Sequence, residues 1–169
     1  MTTHTHRLLA WYEHADEHAR REGLAWYTRC LRDVRDAVGR TPHLGHVGAF
    51  AALSPRVTYR QNVRMFRDLV EGRDVRGLTA SVREARACLT ERRLPRGRKT
   101  SAFARCIMGD ERAVCLDSWA LRALGMGDQP SHLEFERAVL AYQETADVLG
   151  MVPSALQATV WVAIRGKAW

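Results

Sequence analysis

The chain has 169 residues, 46% of them hydrophobic, and a formal net charge of +7; 24 of its 26 basic residues are arginines. This length and hydrophobic content predict a globular protein, either one domain or two small lobes that share a core. No apolar run approaches the ~20 residues of a membrane span, and the N-terminus lacks the apolar segment of a signal peptide. We therefore expect a cytoplasmic protein without membrane contact.

The excess of basic residues favours a polyanionic partner, because guanidinium pairs with phosphate through two hydrogen bonds and stays protonated near neutral pH. Nucleic acid is the first candidate, although a preference for arginine over lysine also reflects the coding composition of a genome. The cysteines, Cys30, Cys88, Cys106 and Cys115, lack the spacing of zinc or iron–sulfur ligands. We expect free, mostly buried thiols in a reducing compartment, and neither metal nor cofactor.

Apolar residues recur with helical spacing along almost the whole chain, and no alternating β-branched run indicates a strand. The fold is therefore predicted to be all-α, in one compact domain of residues 1–169. Pro55 predicts a bend, and several glycines predict helix ends. In chain order, the expected helices cover 5–38 with an interruption near Gly23, 46–53, 58–70, 78–89, 101–109, 116 to 125 or 127, 131–149 and 153–165.

The segment LPRGRKT, residues 94–100, joins two of these helices and contains Lys99, one of two lysines in the chain. The helix, tight turn and second helix, about residues 80–108, form a hairpin whose backbone N–H groups can bind a phosphate. Asp117 follows Lys99 by eighteen residues, at the start of the next helix. A lysine and a carboxylate at two neighbouring helix starts can converge on one point.

The order L-P-x-G-R-K-T, a helix, and then Leu-Asp-Ser resembles the core of the helix-hairpin-helix DNA glycosylase superfamily, most closely its endonuclease III branch. The resemblance covers roughly residues 45–125 and is strongest over 94–117. It implies a helix-hairpin-helix glycosylase fold with two helical lobes around a cleft, and a monomer that binds double-stranded DNA. The family's second hairpin glycine and the iron–sulfur loop of endonuclease III are missing, which indicates a compact member similar to phage proteins.

By this resemblance, the chain removes a modified or damaged base, with a modified pyrimidine such as 5-hydroxymethyluracil favoured, after flipping the nucleotide out of the duplex. Lys99 would attack the sugar C1′ and form a Schiff base that permits strand cleavage, a role that arginine cannot fill because guanidinium stays protonated. Asp117 would stabilise the cationic sugar, or direct water in a lysine-independent version. Lys99 and Asp117 are thus the predicted catalytic residues of a glycosylase with AP-lyase activity.

The resemblance and the arginine-rich turn also predict the DNA contacts. Arg56, in AALSPRVTYRQNV, falls where the family inserts a side chain into the duplex. The remaining predicted phosphate contacts are Arg92, Arg93, Arg96, Gly97, Arg98 and Thr100. The predicted base pocket comprises Tyr59, Gln61, Asn62, Trp119 and Gln157, for which local capping and core packing are the alternatives. Trp161, one turn after Gln157, is predicted to pack in the core.

Two other functions remain open for the same residues. Some phage-encoded proteins of this fold that are associated with hypermodified thymine transfer groups onto a base in DNA, and a non-catalytic protein would use the hairpin only to bind DNA. Asp117 is also a common type of helix N-cap, and we expect it to serve both roles. The segment HADEH, residues 14–18, matches a zinc-protease pattern with His14 and His18 on one helical face, but without a third ligand it is interpreted as a solvated face.

Overall fold

The computed structural model describes residues 2–166, which contain nine α-helices and no strand. The predicted all-α class is confirmed. Most helix limits follow the sequence, because apolar stripes, caps and terminal glycines indicate the same boundaries. The helices are α1 (Thr3–His14), α2 (Glu17–Val38), α3 (Leu44–Leu53), α4 (Tyr59–Val70), α5 (Thr79–Glu91), α6 (Arg98–Ile107), α7 (Ser118–Ala123), α8 (His132–Leu149) and α9 (Pro153–Arg165).

The chain forms two compact units. Among the described residues, the first unit comprises 2–27 and 110–166, and the second comprises 28–109. Helix α2 contributes residues to both units. The predicted single domain thus comprises two compact units.

The first unit consists of the first part of α2 together with α1, α7, α8 and α9. Helices α1, α7, α8 and α9 pack around one apolar core. Helix α8 begins with a capping box between Ser131 and Glu134, and Gly150 ends it with a φ of 64°. Pro153 lies in the first turn of α9, where its missing N–H has no cost. The core includes Leu8, Leu116, Leu121, Leu124, Tyr142, Leu156 and Val160.

Helix α3 is the buried helix of the second unit. All its residues from 45 to 53 are buried, and it packs on α4, α5 and α6. The ring of Phe50 lies 6.2 Å from that of Tyr59, 5.6 Å from that of Phe66 and 6.2 Å from that of Phe103, measured between centroids. Since burying one phenylalanine contributes about 1.5–3 kcal/mol, this aromatic cluster holds α4 and α6 on α3.

The chain around the end of α5 approaches α3 backbone to backbone at two glycines. A Cβ at Gly45 would overlap the carbonyl oxygen of Cys88, and a Cβ at Gly48 would lie 2.5 Å from the carbonyl oxygen of Arg93. Cys88 lies in the last turn of α5, and Arg93 lies in the turn that leads to α6. The missing side chains of Gly45 and Gly48 therefore set the depth at which the hairpin sits on α3.

Two histidines cap the N-terminus of α3. The Nδ1 atom of His43 accepts a hydrogen bond from the backbone N–H of Gly45, and the Nδ1 atom of His46 accepts one from the backbone N–H of His43, both at 3.1 Å. Burial, followed by the neighbouring His43, lowers the pKa of His46 to about 4. The pKa of His43 is also lowered, mainly by burial. Both rings are thus neutral acceptors at pH 7, a cap that the sequence did not indicate.

The N-terminal helical segment is interrupted at residues 15–16 and not near Gly23, so the predicted position was wrong. Asp16 caps α2 by accepting a 2.7 Å hydrogen bond from the backbone N–H of Ala19. The Arg20 guanidinium donates to two carbonyl oxygens in the last turn of α1. Side-chain caps at both helix ends, and not the flexibility of glycine, therefore make the break.

Gly23 instead lies inside α2, where it permits a close helix crossing. A Cβ at Gly23 would lie 2.5 Å from the backbone nitrogen of Thr159 in α9. The break at 15–16 also separates His14, at the end of α1, from His18, in α2. This corrects the prediction that the two histidines share one helical face. In residues 2–166, no group of three His, Cys, Asp or Glu side chains is placed to hold a metal ion.

The four cysteines are buried free thiols, as predicted. Burial raises the pKa of the Cys30 thiol to about 12, so this group stays protonated and behaves as a small apolar side chain.

Within residues 2–166, no single helix is long and apolar enough to cross a membrane. Helices α8 and α9 reach the required length and composition only as a pair, and a bend of 100° separates them.

Replacing Gly48 with alanine is expected to destabilise the second unit. The new methyl group would meet the Arg93 carbonyl, and the resulting shift of the hairpin should cost about 1–3 kcal/mol, which outweighs the roughly 1 kcal/mol helix preference of alanine. Urea unfolding followed by circular dichroism measures the difference. Gly127→Ala is the control, because a Cβ at Gly127 would have no heavy atom within 4 Å. Equal stability of the two variants would contradict the close approach.

Candidate functional site

The turn between α5 and α6 closes around the carboxylate of Glu84. One oxygen of Glu84 accepts hydrogen bonds from Arg93 Nη1 and from the backbone N–H of Arg96, both at 2.7 Å. These two interactions, in that order, lower the pKa of Glu84 to about 2. Sequence reasoning missed Glu84, because an acidic residue within a predicted helix gives no sign that it bonds to a turn twelve residues later.

Arg93 has a structural role in this turn. It pairs with Glu84 and, through Nε at 2.6 Å, with Glu91, and it donates to the carbonyl oxygen of Leu94 at 2.9 Å. Only 23% of its side-chain surface is exposed. A phosphate contact by Arg93 would therefore have to compete with two carboxylates.

The other predicted phosphate contacts of the turn lie at its surface. Arg92, Arg96 and Arg98 are exposed. Gly97 is the N-cap of α6 and contributes no side-chain cap, and the Thr100 hydroxyl donates to the Gly97 carbonyl oxygen at 3.1 Å. The turn therefore presents arginines beside the positive end of a ten-residue helix, where an anion is favoured.

Two predicted DNA contacts have an unusual backbone conformation. Arg56, with φ of 60°, and Arg92, with φ of 51°, are the non-glycine residues with positive φ in the part of the chain that the structure describes. This conformation costs an L-residue about 1–2 kcal/mol relative to the right-handed region. Glycine would avoid this strain at both positions.

Lys99 lies in the first turn of α6 and is exposed. Asp117, in contrast, belongs to the first unit, where it is the N-cap of α7. Both helix-start positions agree with the sequence prediction.

The Asp117 carboxylate uses both oxygens. Its Oδ1 accepts from the backbone N–H of Ala120 at 2.8 Å, and its Oδ2 accepts from Trp161 Nε1 at 3.0 Å. Tyr142 holds the same turn in place, because its buried hydroxyl donates to the Ala120 carbonyl oxygen at 3.1 Å. Burial and then the charge of Asp117 raise the pKa of Tyr142, so it remains a neutral donor.

Trp161, the indole partner of Asp117, also packs against two further side chains. Its ring lies 5.0 Å from that of Trp26, and the Arg165 guanidinium lies 4.4 Å from its centroid. The ring is only partly buried and lies outside the core cluster, so the predicted core packing is corrected, and its N–H has a polar partner that the sequence did not indicate. Within the first unit, Asp117 therefore lies beside an indole and not in open solvent.

The predicted base-pocket residues divide between the units. In the second unit, Tyr59 donates to Asp33 Oδ2 at 2.6 Å, and the exposed Gln61 caps α4 through Thr58, which is the local alternative. Asn62 is 2% exposed and donates to the Phe50 carbonyl oxygen.

In the first unit, the buried Gln157 accepts a 2.6 Å hydrogen bond from Tyr27, and Trp119 lies under the guanidinium of Arg122 at 5.1 Å. Gln157 and Trp161, on α9, therefore contact two adjacent residues of α2. Gln157 bonds to Tyr27, and Trp161 packs on Trp26. These four side chains form a polar and aromatic cluster in the unit that contains Asp117.

The comparison with known proteins gives one match. A model for a family of unknown function matches residues 1–168 of the chain. No curated protein and no solved structure matches it. The family match covers both units and includes Lys99, Asp117 and the hairpin turn.

Replacing Glu84 with glutamine is expected to loosen the hairpin. Glutamine keeps the shape of the side chain but loses the charge that holds Arg93 and the Arg96 N–H, and we expect a loss of about 1–2 kcal/mol in unfolding free energy at neutral pH. Glu91→Gln is the control, because Glu91 also pairs with Arg93 but is 52% exposed. A loss in Glu91→Gln as large as that in Glu84→Gln would contradict the central role of Glu84.

The effect of Glu84→Gln should also depend on pH. The pKa of Glu84 in the folded protein, about 2, lies below the ordinary value of 4.5, so the ionised form favours folding. The stabilisation is complete above the ordinary pKa and disappears as the pH falls through the folded pKa. The stability difference between wild type and Glu84→Gln should therefore shrink below about pH 4.5, and a difference that stays constant down to the acid limit would show that charge is not its cause.

Proposed function

The chain belongs to DUF7178, a family of unknown function, and we propose that it is a helix-hairpin-helix DNA glycosylase that removes a modified pyrimidine, such as 5-hydroxymethyluracil, from duplex DNA. The observation that carries the proposal is the hairpin, in which an exposed Lys99 opens the helix that follows a fixed, arginine-rich turn. Asp117, capping the next helix, supplies the carboxylate that the reaction needs.

The charge distribution of the hairpin supports DNA as the partner. Arg92, Arg96 and Arg98 are exposed around the start of α6, in a chain with a net charge of +7. Arg56 and Arg92 also keep a strained conformation that glycine would relieve, and such strain is concentrated at functional sites. These arginines would bind the DNA backbone, a contact that fixes position without reading sequence.

The proposed reaction begins when the target nucleotide leaves the base stack, at a cost of a few kcal/mol. The glycosidic bond then breaks, and the base departs with its electron pair. The Lys99 amine, after giving one proton to water, forms a bond to C1′. The C1′–O4′ bond then breaks, O4′ takes up a second proton from the nitrogen, and the nitrogen and C1′ remain joined as a protonated Schiff base. The negative charge of Asp117 favours the cationic sugar that develops as the bond breaks. Lys99→Arg and Asp117→Asn test these two roles separately.

A second candidate is a DNA-binding protein without catalysis. It is favoured by one observation, that both Asp117 oxygens already have structural partners in Ala120 and Trp161. The two functions differ in what Asp117 contributes, because binding by the hairpin does not need its charge.

Lys99 is expected to be the residue that forms a covalent adduct with DNA. Borohydride reduction with duplexes containing 5-hydroxymethyluracil or an abasic site should trap wild type, and Lys99→Arg should abolish trapping while it keeps the charge for DNA binding. The chain offers a matched control, Lys167→Arg, which changes its only other lysine. Trapping that survives in Lys99→Arg, or is absent from wild type on all the duplexes, would contradict the lyase step.

Asp117→Asn is expected to reduce base release by about 10²-fold or more. Asparagine has one acceptor oxygen, whereas the N–H groups of Ala120 and Trp161 each need an acceptor. The NH₂ group of the asparagine would therefore lie against one of these donors, which should cost about 1–3 kcal/mol in unfolding free energy. The double variant Asp117→Asn with Trp161→Phe removes that donor conflict.

Comparing the two variants separates catalysis from folding. We expect the double variant to recover stability in thermal unfolding but to remain inactive in single-turnover base release. Recovery of base release along with stability would assign Asp117 a structural role only. Unchanged base release in Asp117→Asn would rule out the mechanism proposed for it, and the binding-only function predicts unchanged DNA affinity.

A further inference from the structure

The first unit contains a pocket at the end of α7 opposite Asp117. Asp117 caps the N-terminus of this six-residue helix, whereas the pocket lies at its C-terminal end. Its volume is about 460 Å³, within the range of small-molecule sites. One face of α1, at positions 7, 10, 11 and 14, forms the other wall. The lining residues are Arg7, Ala10, Trp11, His14, Arg122 and Ala123.

Arg7 is built into this pocket by the chain that follows α7. A Cβ at Gly125 would overlap the Arg7 guanidinium, so the missing side chain makes the space that the guanidinium occupies. Gly125 also has a φ of 74°, which favours glycine independently. No carboxylate in residues 2–166 pairs with Arg7. Gly125 thus holds the Arg7 guanidinium at the pocket, and no carboxylate of the described residues balances its charge.

The other lining residues combine an aromatic surface with further basic groups. The Trp11 side chain is 37% exposed. His14 Nδ1 donates to the Ala10 carbonyl oxygen at 2.7 Å, which fixes the orientation of the ring. Arg122 pairs with Asp128 at 2.9 Å and stacks on Trp119, so its orientation is fixed while part of its charge is balanced.

We infer that this pocket binds a nucleotide, with the phosphate on Arg7 and the base stacked on Trp11. Guanidinium offers two parallel donors to a phosphate, and an exposed indole offers a flat surface to a base. The pocket is larger than a phosphate alone requires and has an apolar wall, which favours a ligand that carries both an anion and a ring. A free nucleoside monophosphate and one nucleotide of a DNA single strand share this chemistry.

Isothermal titration calorimetry at low salt tests the assignment, with thymidine 5′-monophosphate, thymidine, inorganic phosphate and O-phosphotyrosine as probes. We expect submillimolar binding of thymidine 5′-monophosphate to wild type. Arg7→Gln should weaken it by about tenfold or more, and Trp11→Leu by about fivefold or more. Arg21→Gln, an exposed arginine of α2 in the same unit, is the matched control and should change affinity less than about twofold.

Several results would overturn the nucleotide site. These are absence of binding to wild type, equal weakening by Arg7→Gln and Arg21→Gln, or equal affinity for thymidine, for inorganic phosphate or for O-phosphotyrosine. A 5′-phosphorylated tetrathymidylate distinguishes the two sources. Loss of its binding in Arg7→Gln assigns the pocket to a DNA strand, and loss for the monophosphate alone assigns it to a free nucleotide. Base release is not measured, so this result stands or falls separately from the proposed excision.

Discussion

The Glu84 carboxylate organises the turn on which the second unit depends. It accepts from Arg93 and from the backbone N–H of Arg96, so the short turn closes around an anion supplied by the protein itself. The Arg93 carbonyl, in turn, lies where Gly48 lacks a side chain. The ion pair, the seating of the hairpin on α3 and the start of α6 are therefore linked by adjacent contacts. Because only 23% of Arg93 and 28% of Glu84 is exposed, solvent screens this pair less than it screens an ordinary surface ion pair.

Asp117 applies the same principle in the first unit, where a carboxylate satisfies a helix N-terminus and a side-chain donor together. This structural role leaves part of the hydrogen-bonding capacity of the carboxylate unused. An ionised carboxylate has about four lone-pair sites on its two oxygens, and Ala120 and Trp161 take one each. The remaining acceptor capacity and the full negative charge can act on a ligand, while the two bonds hold the side chain in one orientation. A cap of this kind is compatible with the proposed catalysis, because fixed orientation lowers the reorganisation that a reaction requires.

The sequence predicted most helix limits because periodicity and terminal residues report local burial and local geometry. It also identified Asp117 as an N-cap and placed Lys99 at the start of its helix. It did not identify Glu84 or the partner of Trp161, because their hydrogen bonds join residues 12 and 44 positions apart. The error at Gly23 has a related cause. Glycine was interpreted as a local helix breaker, but its function here is to admit the backbone of Thr159, and no local rule distinguishes the two uses.

The arginines show why net charge can indicate the class of a binding partner but not which residues contact it. All 24 carry the same charge in the sequence, yet Arg93 is bound to two carboxylates, Arg20 caps a helix and Arg7 has no carboxylate partner among the described residues. Only a guanidinium that is not already committed to the fold adds to phosphate binding without a compensating loss inside the protein. A bound phosphate would have to displace Glu84 or Glu91 to reach Arg93, whereas Arg92 and Arg96 need no such exchange of side-chain partners at the surface. In the proposed DNA complex, the electrostatic contribution of the hairpin should therefore come from its exposed arginines, with Arg93 acting through the shape of the turn.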